Sequence, residues 1–359
     1  MKKRILSCFM ALALCLTLLP TAALAAEGHT HCICGKTTHV DIGDHTGEHQ
    51  ITCDKWLASY DGRLSVGSSE SSTYGDNLAE EGNYVTLTAG YYYLSTTAAG
   101  CDKSYVASLQ TIKIQGNVTI CLNGKQIQKV GNTAGPVFEV PSGDNTLTLT
   151  DCKGNGQVMC EDNGNGSGVY VNGGTLNLYS GQIANSSGQT TDYNQYGGGV
   201  YVDKDGTFNM NGGVITGNSA NYGGGVYVNS GTFTMNGEAT SVSNNTATNG
   251  GGVYASVGTF TMSGGSITGN KNNGVFVHEN ATFTVSGAPT VTGNTRESAA
   301  SNVFLAGSKT ITIGGELNEG ASIGVTRGAY LDIANNVNED YSGNFFQRQH
   351  AVQGRVRRD

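Results

Sequence analysis

The sequence predicts an all-β solenoid, a parallel β-helix built from short strands. Three observations carry that expectation. One unit recurs six times between Gly166 and about Gly328, with copies starting at Gly166, Gly197, Gly223, Gly250, Asn273 and Ser301. Each copy holds three short runs with period-2 alternation, separated by glycine or asparagine, and no segment after the first 25 residues shows helical periodicity. Successive starts from Gly197 lie 26, 27, 23 and 28 residues apart, the spacing of stacked repeats in which each unit buries its apolar face only on its neighbours.

Residues 1–25 read as a secretory signal. Lys2, Lys3 and Arg4 form the charged start, Ile5 to Leu19 the apolar run, and Ala23-Leu24-Ala25 the small-residue cleavage site. Cleavage predicts a secreted chain, held outside the cell or at its surface, with no membrane insertion afterwards. Loss of three basic residues leaves 17 basic against 28 acidic side chains, a net charge of −11 where the full chain carries −8. That balance argues against nucleic acid and anionic lipid as partners, both of which need basic surfaces.

Residues 26–80 form a Cys/His-rich N-terminal segment. Between His29 and Trp56 lie five of the seven histidines, with Cys32, Cys34 and Cys53. His29, His31, Cys32, Cys34 and Cys53 are candidate ligands of a structural zinc, because a loop-rich segment without a core gains stability from such a clip. The Cys-x-Cys spacing is tighter than the usual zinc module, so a disulfide from Cys32 or Cys34 to Cys53 and a solvated leader remain as alternatives. Seven cysteines after the signal leave at least one outside any set of pairs. Cys121 and Cys152 fall about one rung apart and can stack or pair, while Cys101 and Cys160 have no assigned partner.

Residues 81–341 are the expected β-helix. Tyr84 to Leu94, Thr111 to Gln128 and Val137 to Val158 carry strand-like runs that extend it towards the N-terminus. In the copy from Gly197 the three strands are Val200-Tyr201-Val202, Thr207 to Met210 and Val214-Ile215-Thr216. Alternation points Val200, Val202, Phe208 and Met210 inward, matched in other copies by pairs such as Val226/Val228, Phe260/Met262 and Ile311/Ile313. Ile183, Ile215, Val242, Ile267 and Val291 form the third wall. Asn218, Asn245, Asn270 and Asn294 share one offset and should stack as a ladder inside a turn. Glycine runs such as Gly197-Gly198-Gly199 mark tight turns that tolerate positive φ. About nine rungs at strand spacing make a rod on the order of 40 Å. Residues 342–359 are a basic tail expected to be disordered; nothing in it resembles a cap, and the chain reads as a truncated relative of a longer surface protein.

If the valines of the first strand face inward, Tyr170, Tyr201, Tyr227, Tyr254, Phe276 and Phe304 face outward, one ring per rung. Stacked rings stabilise a sheet face by a few tenths to about 1 kcal/mol per pair. They also make a candidate ligand-binding ladder for glycans or surface proteins, since an exposed apolar stripe is seldom accidental.

The GGGVYV…GTFTMNGG…ITGN units, the CLNGK run at Cys121, the NVFLAGSKTITIGG run and the HTHCICG leader resemble exported proteins of anaerobic Gram-positive gut bacteria. Those are similar to right-handed parallel β-helix proteins of the pectin-lyase-like superfamily, often described as adhesin-like. The resemblance covers roughly residues 29–335 and implies the fold rather than an activity, because this fold hosts lyases, hydrolases, adhesins and toxins. An enzyme of this kind needs carboxylates clustered on adjacent rungs. The position after the first strand reads Asn172, Asp203, Asn229, Ser256, His278 and Ala306, with one carboxylate and no second. The expectation is therefore a binding protein without catalysis. A polysaccharide lyase or glycoside hydrolase is the alternative, and a structural stalk the third.

Overall fold

The computed structural model describes residues 29–32, 50–53, 55–68, 76–96, 104–131, 133–160, 166–191, 194–327 and 340–341. Residues 1–25, Cys34, Cys101 and residues 342–359 lie outside the described residues, as do the side chains of His29, His31 and Cys32. Every regular element among the described residues is a strand, and none is a helix long and apolar enough to cross a membrane.

The strands form a parallel β-solenoid with three walls. The third wall is a nine-stranded sheet running from Val106–Ser108 to Ser322–Ile323, so eight turns of chain separate its first strand from its last. On the first wall Val169, Val200, Val226, Val253, Val275 and Val303 stand in one register. The second wall aligns Leu176, Phe208, Phe233, Phe260, Phe283 and Ile311. Ile127, Val158, Ile183, Ile215, Val242, Ile267, Val291 and Ile323 do the same on the third. These side chains converge in one continuous buried core. A single rung contributes only a handful of apolar side chains, each worth about 1.5–3 kcal/mol when buried, so it is stable only as part of the stack.

Near the N-terminus two long strands, Tyr84–Leu94 and Thr111–Cys121, each run through two walls. Thr111–Cys121 pairs with Phe138–Pro141 through Ile112 and with Thr146–Thr150 through Asn117, and the chain turns the corner at Gly116. Ahead of them, Lys55–Tyr60 and Arg63–Ser68 form an antiparallel hairpin closed by Asp61-Gly62, both at positive φ as a two-residue type I′ turn requires. Trp56 lies beside Tyr93 of the first rung, and Leu57 and Leu64 cover that end of the core. The opposite end is different. Ile311 and Ile313 were expected inside, yet Ile313 is 44% exposed and Ile311 half-buried. Among the described residues their strand, Ile311–Leu317, pairs only with Thr282–Gly287, which covers these side chains on one side.

The asparagine ladder is present and longer than expected. Asn218 Nδ2 donates to Asn245 Oδ1 (3.0 Å), Asn245 to Asn270 (3.0 Å), and Asn270 to Asn294 (2.9 Å). The same amides also donate to the carbonyls of Ile183, Ile215 and Val242. Ser186 N donates to Asn218 at one end, and Asn294 donates to Asn302 (3.1 Å) at the other.

The glycine runs correct one expectation. Only the first residue of each run needs positive φ, as at Gly197 (57°), Gly223 (65°) and Gly250 (65°). The third is glycine because the next rung leaves no space: a Cβ on Gly199 would stand 2.7 Å from the carbonyl oxygen of Gly225, and one on Gly225 2.6 Å from that of Gly252. Close backbone approach, not turn conformation, explains that position.

Candidate functional site

The aromatic column follows from the alternation that builds the core. With Val200 and Val202 inside, Tyr201 stands on the outer surface of the first wall, in register with Tyr170, Tyr227, Tyr254, Phe276 and Phe304. Consecutive rings stack except at Tyr201 and Tyr227, whose planes are tilted by 59° at a centroid separation of 5.3 Å. Centroids of Tyr170 and Tyr201 lie 5.0 Å apart, Tyr227 and Tyr254 5.4 Å, Tyr254 and Phe276 4.7 Å, and Phe276 and Phe304 4.8 Å.

The column is not uniformly exposed, which departs from the simple outward reading. Tyr201, Tyr227 and Tyr254 are only 9%, 6% and 8% exposed. They are covered by a second tier. In the central rungs a fourth short strand follows the third wall: Asn194–Tyr196, Ser219–Tyr222 and Thr246–Asn249 pair in parallel. It places Tyr196 4.8 Å from Tyr227 and 6.0 Å from Tyr201, and Tyr222 5.4 Å from Tyr254, while Tyr196 and Tyr222 stack at 5.5 Å. Tyr170, Tyr196, Tyr222, Phe276 and Phe304 remain half-buried. The result is an apolar cluster separate from the core, buried in its middle and partly open over its outer tier and at both ends.

Asp203 organises the polar side of this cluster. Its Oδ2 accepts from the hydroxyls of Tyr170 (3.5 Å) and Tyr201 (3.4 Å). Its Oδ1 accepts from Asn229 Nδ2 (2.9 Å) and Ser230 Oγ (3.2 Å). Burial, and after it the Asp203 carboxylate, pushes the phenols of Tyr170 and Tyr201 well above the usual tyrosine range. Burial raises Tyr227 and Tyr254 in the same direction. These tyrosines are neutral donors at ordinary pH. Asp203 Oδ2 holds the two phenols while Oδ1 holds Asn229 and Ser230, which is a positioning task.

Further along the same outward position, Asn172 donates to Glu139 Oε1 (2.8 Å). Asn172 Oδ1 and His278 Nδ1 have no hydrogen-bond partner among the described residues. Both side chains are half-buried at the margins of the aromatic cluster, and these two atoms are themselves buried. Beyond Glu139 a shallow depression is lined by Glu81, Thr86, Lys113, Gln115 and Asn145 among others.

Of the candidate zinc ligands, His29 and Cys53 are set opposite each other where His29–Cys32 pairs antiparallel with Gln50–Cys53. The Cys53 side chain is buried against Trp56, Ala58, Tyr93 and Cys121. Among the described residues no three His, Cys, Asp or Glu side chains converge on a common point.

Sequence reading missed Tyr196 and Tyr222. Their signal was available: both directly precede a Gly-Gly-Gly run, one rung apart, in a stretch taken as turn. Comparison with family models, with curated proteins and with solved structures returns no match.

Proposed function

We propose that the protein is an exported binding protein that takes glycans on the two-tier aromatic face, without catalysis. The observation that carries this reading is the outer tier, with Tyr196 and Tyr222 held half-exposed over a buried row of rings. That tier lies outside the core, in an apolar cluster of its own. Tyrosine offers an apolar ring face and a polar edge, which suits the C–H face of a sugar ring flanked by hydroxyls. The half-buried polar residues Asn172 and His278 at the margin favour a hydroxyl-rich ligand over an apolar protein surface. We further propose an adhesin-like member of the pectin-lyase-like group, on the strength of the repeat motifs and the solenoid.

A glycan array probed with the full chain tests the proposal, followed by titration of the best ligand against Tyr196→Ala and Tyr222→Ala. Each ring removed should weaken binding roughly 2- to 10-fold, the scale of one aromatic contact, while the thermal midpoint changes little. Undiminished glycan binding by the double variant, or no glycan bound at all, refutes it.

A further inference from the structure

Cys121 closes the Thr111–Cys121 strand on the second wall, and Thr150 of the next rung lies beside it. The chain then turns instead of continuing straight. Asp151, buried in that turn, accepts from Gly124 N (2.7 Å), Lys153 N (3.2 Å) and Gly156 N (2.5 Å), which ties the turn to the one below. Cys152 is thereby folded back over Cys121, and the two sulfurs stand 3.5 Å apart. Cys121 Sγ also accepts from Asn123 N (3.2 Å), so its side chain is held in place from beneath. Both backbones are thus anchored and the sulfurs touch without being bonded. Thr150 rather than Cys152 stands in register with Cys121, so it is the turn after Thr150 that brings the second sulfur to the first.

Cys121 and Cys152 differ in access. Cys121 is enclosed by Cys53, Trp56, Ala58 and Tyr93, whereas Cys152 is half-buried at the edge of that cluster. The environment therefore sets an order of reaction, with the outer thiol meeting an oxidant first. A metal site is the competing use of two adjacent sulfurs. Zinc takes four ligands, and among the described residues no three His, Cys, Asp or Glu side chains are placed to hold one. A disulfide needs the two sulfurs alone.

We infer that Cys121 and Cys152 are a cross-linking site, oxidised by a small-molecule or protein disulfide to a bond that staples two consecutive rungs next to the N-terminal hairpin. The Cys152 thiolate attacks one sulfur of the oxidant, forming a mixed disulfide and releasing the oxidant's first thiol. Cys121 then gives up its proton and attacks the Cys152 sulfur. The second thiol of the oxidant leaves, and the Cys121–Cys152 bond remains. Two protein thiols are oxidised, one external disulfide is reduced to two thiols, and the protons balance. The bond closes a loop of 31 residues, and it removes unfolded-state freedom where the rungs depart most from the regular repeat.

The test uses the folded full chain with oxidised glutathione as the probe, quenched by alkylation, digested and mapped by mass spectrometry. A linked Cys121–Cys152 peptide pair should replace the two alkylated peptides, and the thermal midpoint should rise by several degrees over the dithiothreitol-treated chain. Cys121→Ser should trap a lasting glutathione adduct on Cys152, and Cys152→Ser should leave Cys121 without one. Complete alkylation of both cysteines after oxidation overturns the inference. So does a Cys53–Cys121 linkage, or protection of the pair by stoichiometric zinc that a chelator removes. Should either serine variant fail to fold, the peptide map of the unaltered chain decides alone.

Discussion

Replacing Asn245 with alanine should be a costly polar change in the central rungs. Its side chain takes part in four hydrogen bonds. Nδ2 donates to Asn270 Oδ1 and to the Ile215 carbonyl, each at 3.0 Å, while Oδ1 accepts from the backbone and side-chain nitrogens of Asn218, also at 3.0 Å. All of these groups are buried, so alanine leaves them without water to replace the lost partner. At about 1 kcal/mol per bond the loss is about 4 kcal/mol. Asn209→Ala is the control. It also breaks an amide ladder, donating to Asn177 Oδ1 (3.0 Å), but on a half-exposed outer surface where water substitutes, so about 1 kcal/mol or less is expected. Urea denaturation followed by far-ultraviolet circular dichroism measures both. Asn245→Asp adds a signed check, because the carboxylate sets acceptor against acceptor at Ile215 and Asn270. Burial and those facing oxygens raise the aspartate's folded pKa above its unfolded value of about 3.9, so this variant gains stability as pH falls and loses it as pH rises through the folded pKa. Equal costs for Asn245→Ala and Asn209→Ala, within about 0.5 kcal/mol, would show that burial of the ladder is not what gives it weight.

Two further outcomes follow from the core and from the tyrosines. Phe208, Phe233, Phe260 and Phe283 stack at 4.7–4.8 Å with nearly parallel planes, so Phe233→Ala should cost about 3–5 kcal/mol in thermal denaturation. Ile313→Ser, at a position that repetition equates with the core, should cost under about 1 kcal/mol because the side chain is already exposed. The buried phenols predict loss of stability at alkaline pH. Unfolded tyrosines ionise near pH 10, folded Tyr170, Tyr201, Tyr227 and Tyr254 ionise higher, and the folded state therefore holds more protons. Their contribution is whole below about pH 10 and is lost as pH rises towards the folded values. Tyr201→Phe should flatten that decline, and tyrosinate absorbance during base titration should appear together with unfolding rather than ahead of it.

The walls were legible in the sequence because repetition and alternation act on the same residues. Val200, Phe208 and Ile215 each recur at a fixed offset, and each offset has one stable facing in a stacked strand. The ladder was legible for the same reason, but its ends were not. Asn302 replaces the glycine found in that place at Gly252 and Gly274, and it reaches the ladder from the neighbouring strand. Ile313 fits the pattern and still lies outside the core, since alternation gives the facing of a side chain and says nothing about whether a rung covers it. Tyr196 and Tyr222 were hidden by the opposite problem. Their segment carries no alternation of its own, and its strand character comes from pairing with neighbouring rungs and, at Asn194–Tyr196, with Gln189–Thr191.

A solenoid built from near-identical contacts makes its irregular residues informative. Wherever the stack needs only packing, successive rungs repeat the same solution: valine on valine, phenylalanine on phenylalanine, asparagine on asparagine. The outer aromatic tier does not repeat in that way. It holds tyrosine at 196 and 222 and asparagine at 249, so it covers part of the first wall and then stops. Asp203 occurs once at its position, where it gathers two phenols, an amide and a hydroxyl into one network. A spacer needs no such boundary, because any rung stacks as well as the next. A bounded patch has a centre and a rim, with buried rings to hold its shape, half-exposed rings to meet a ligand and polar groups at its margin. Under the proposed binding function, the inner tyrosines serve as support and the outer ones as recognition.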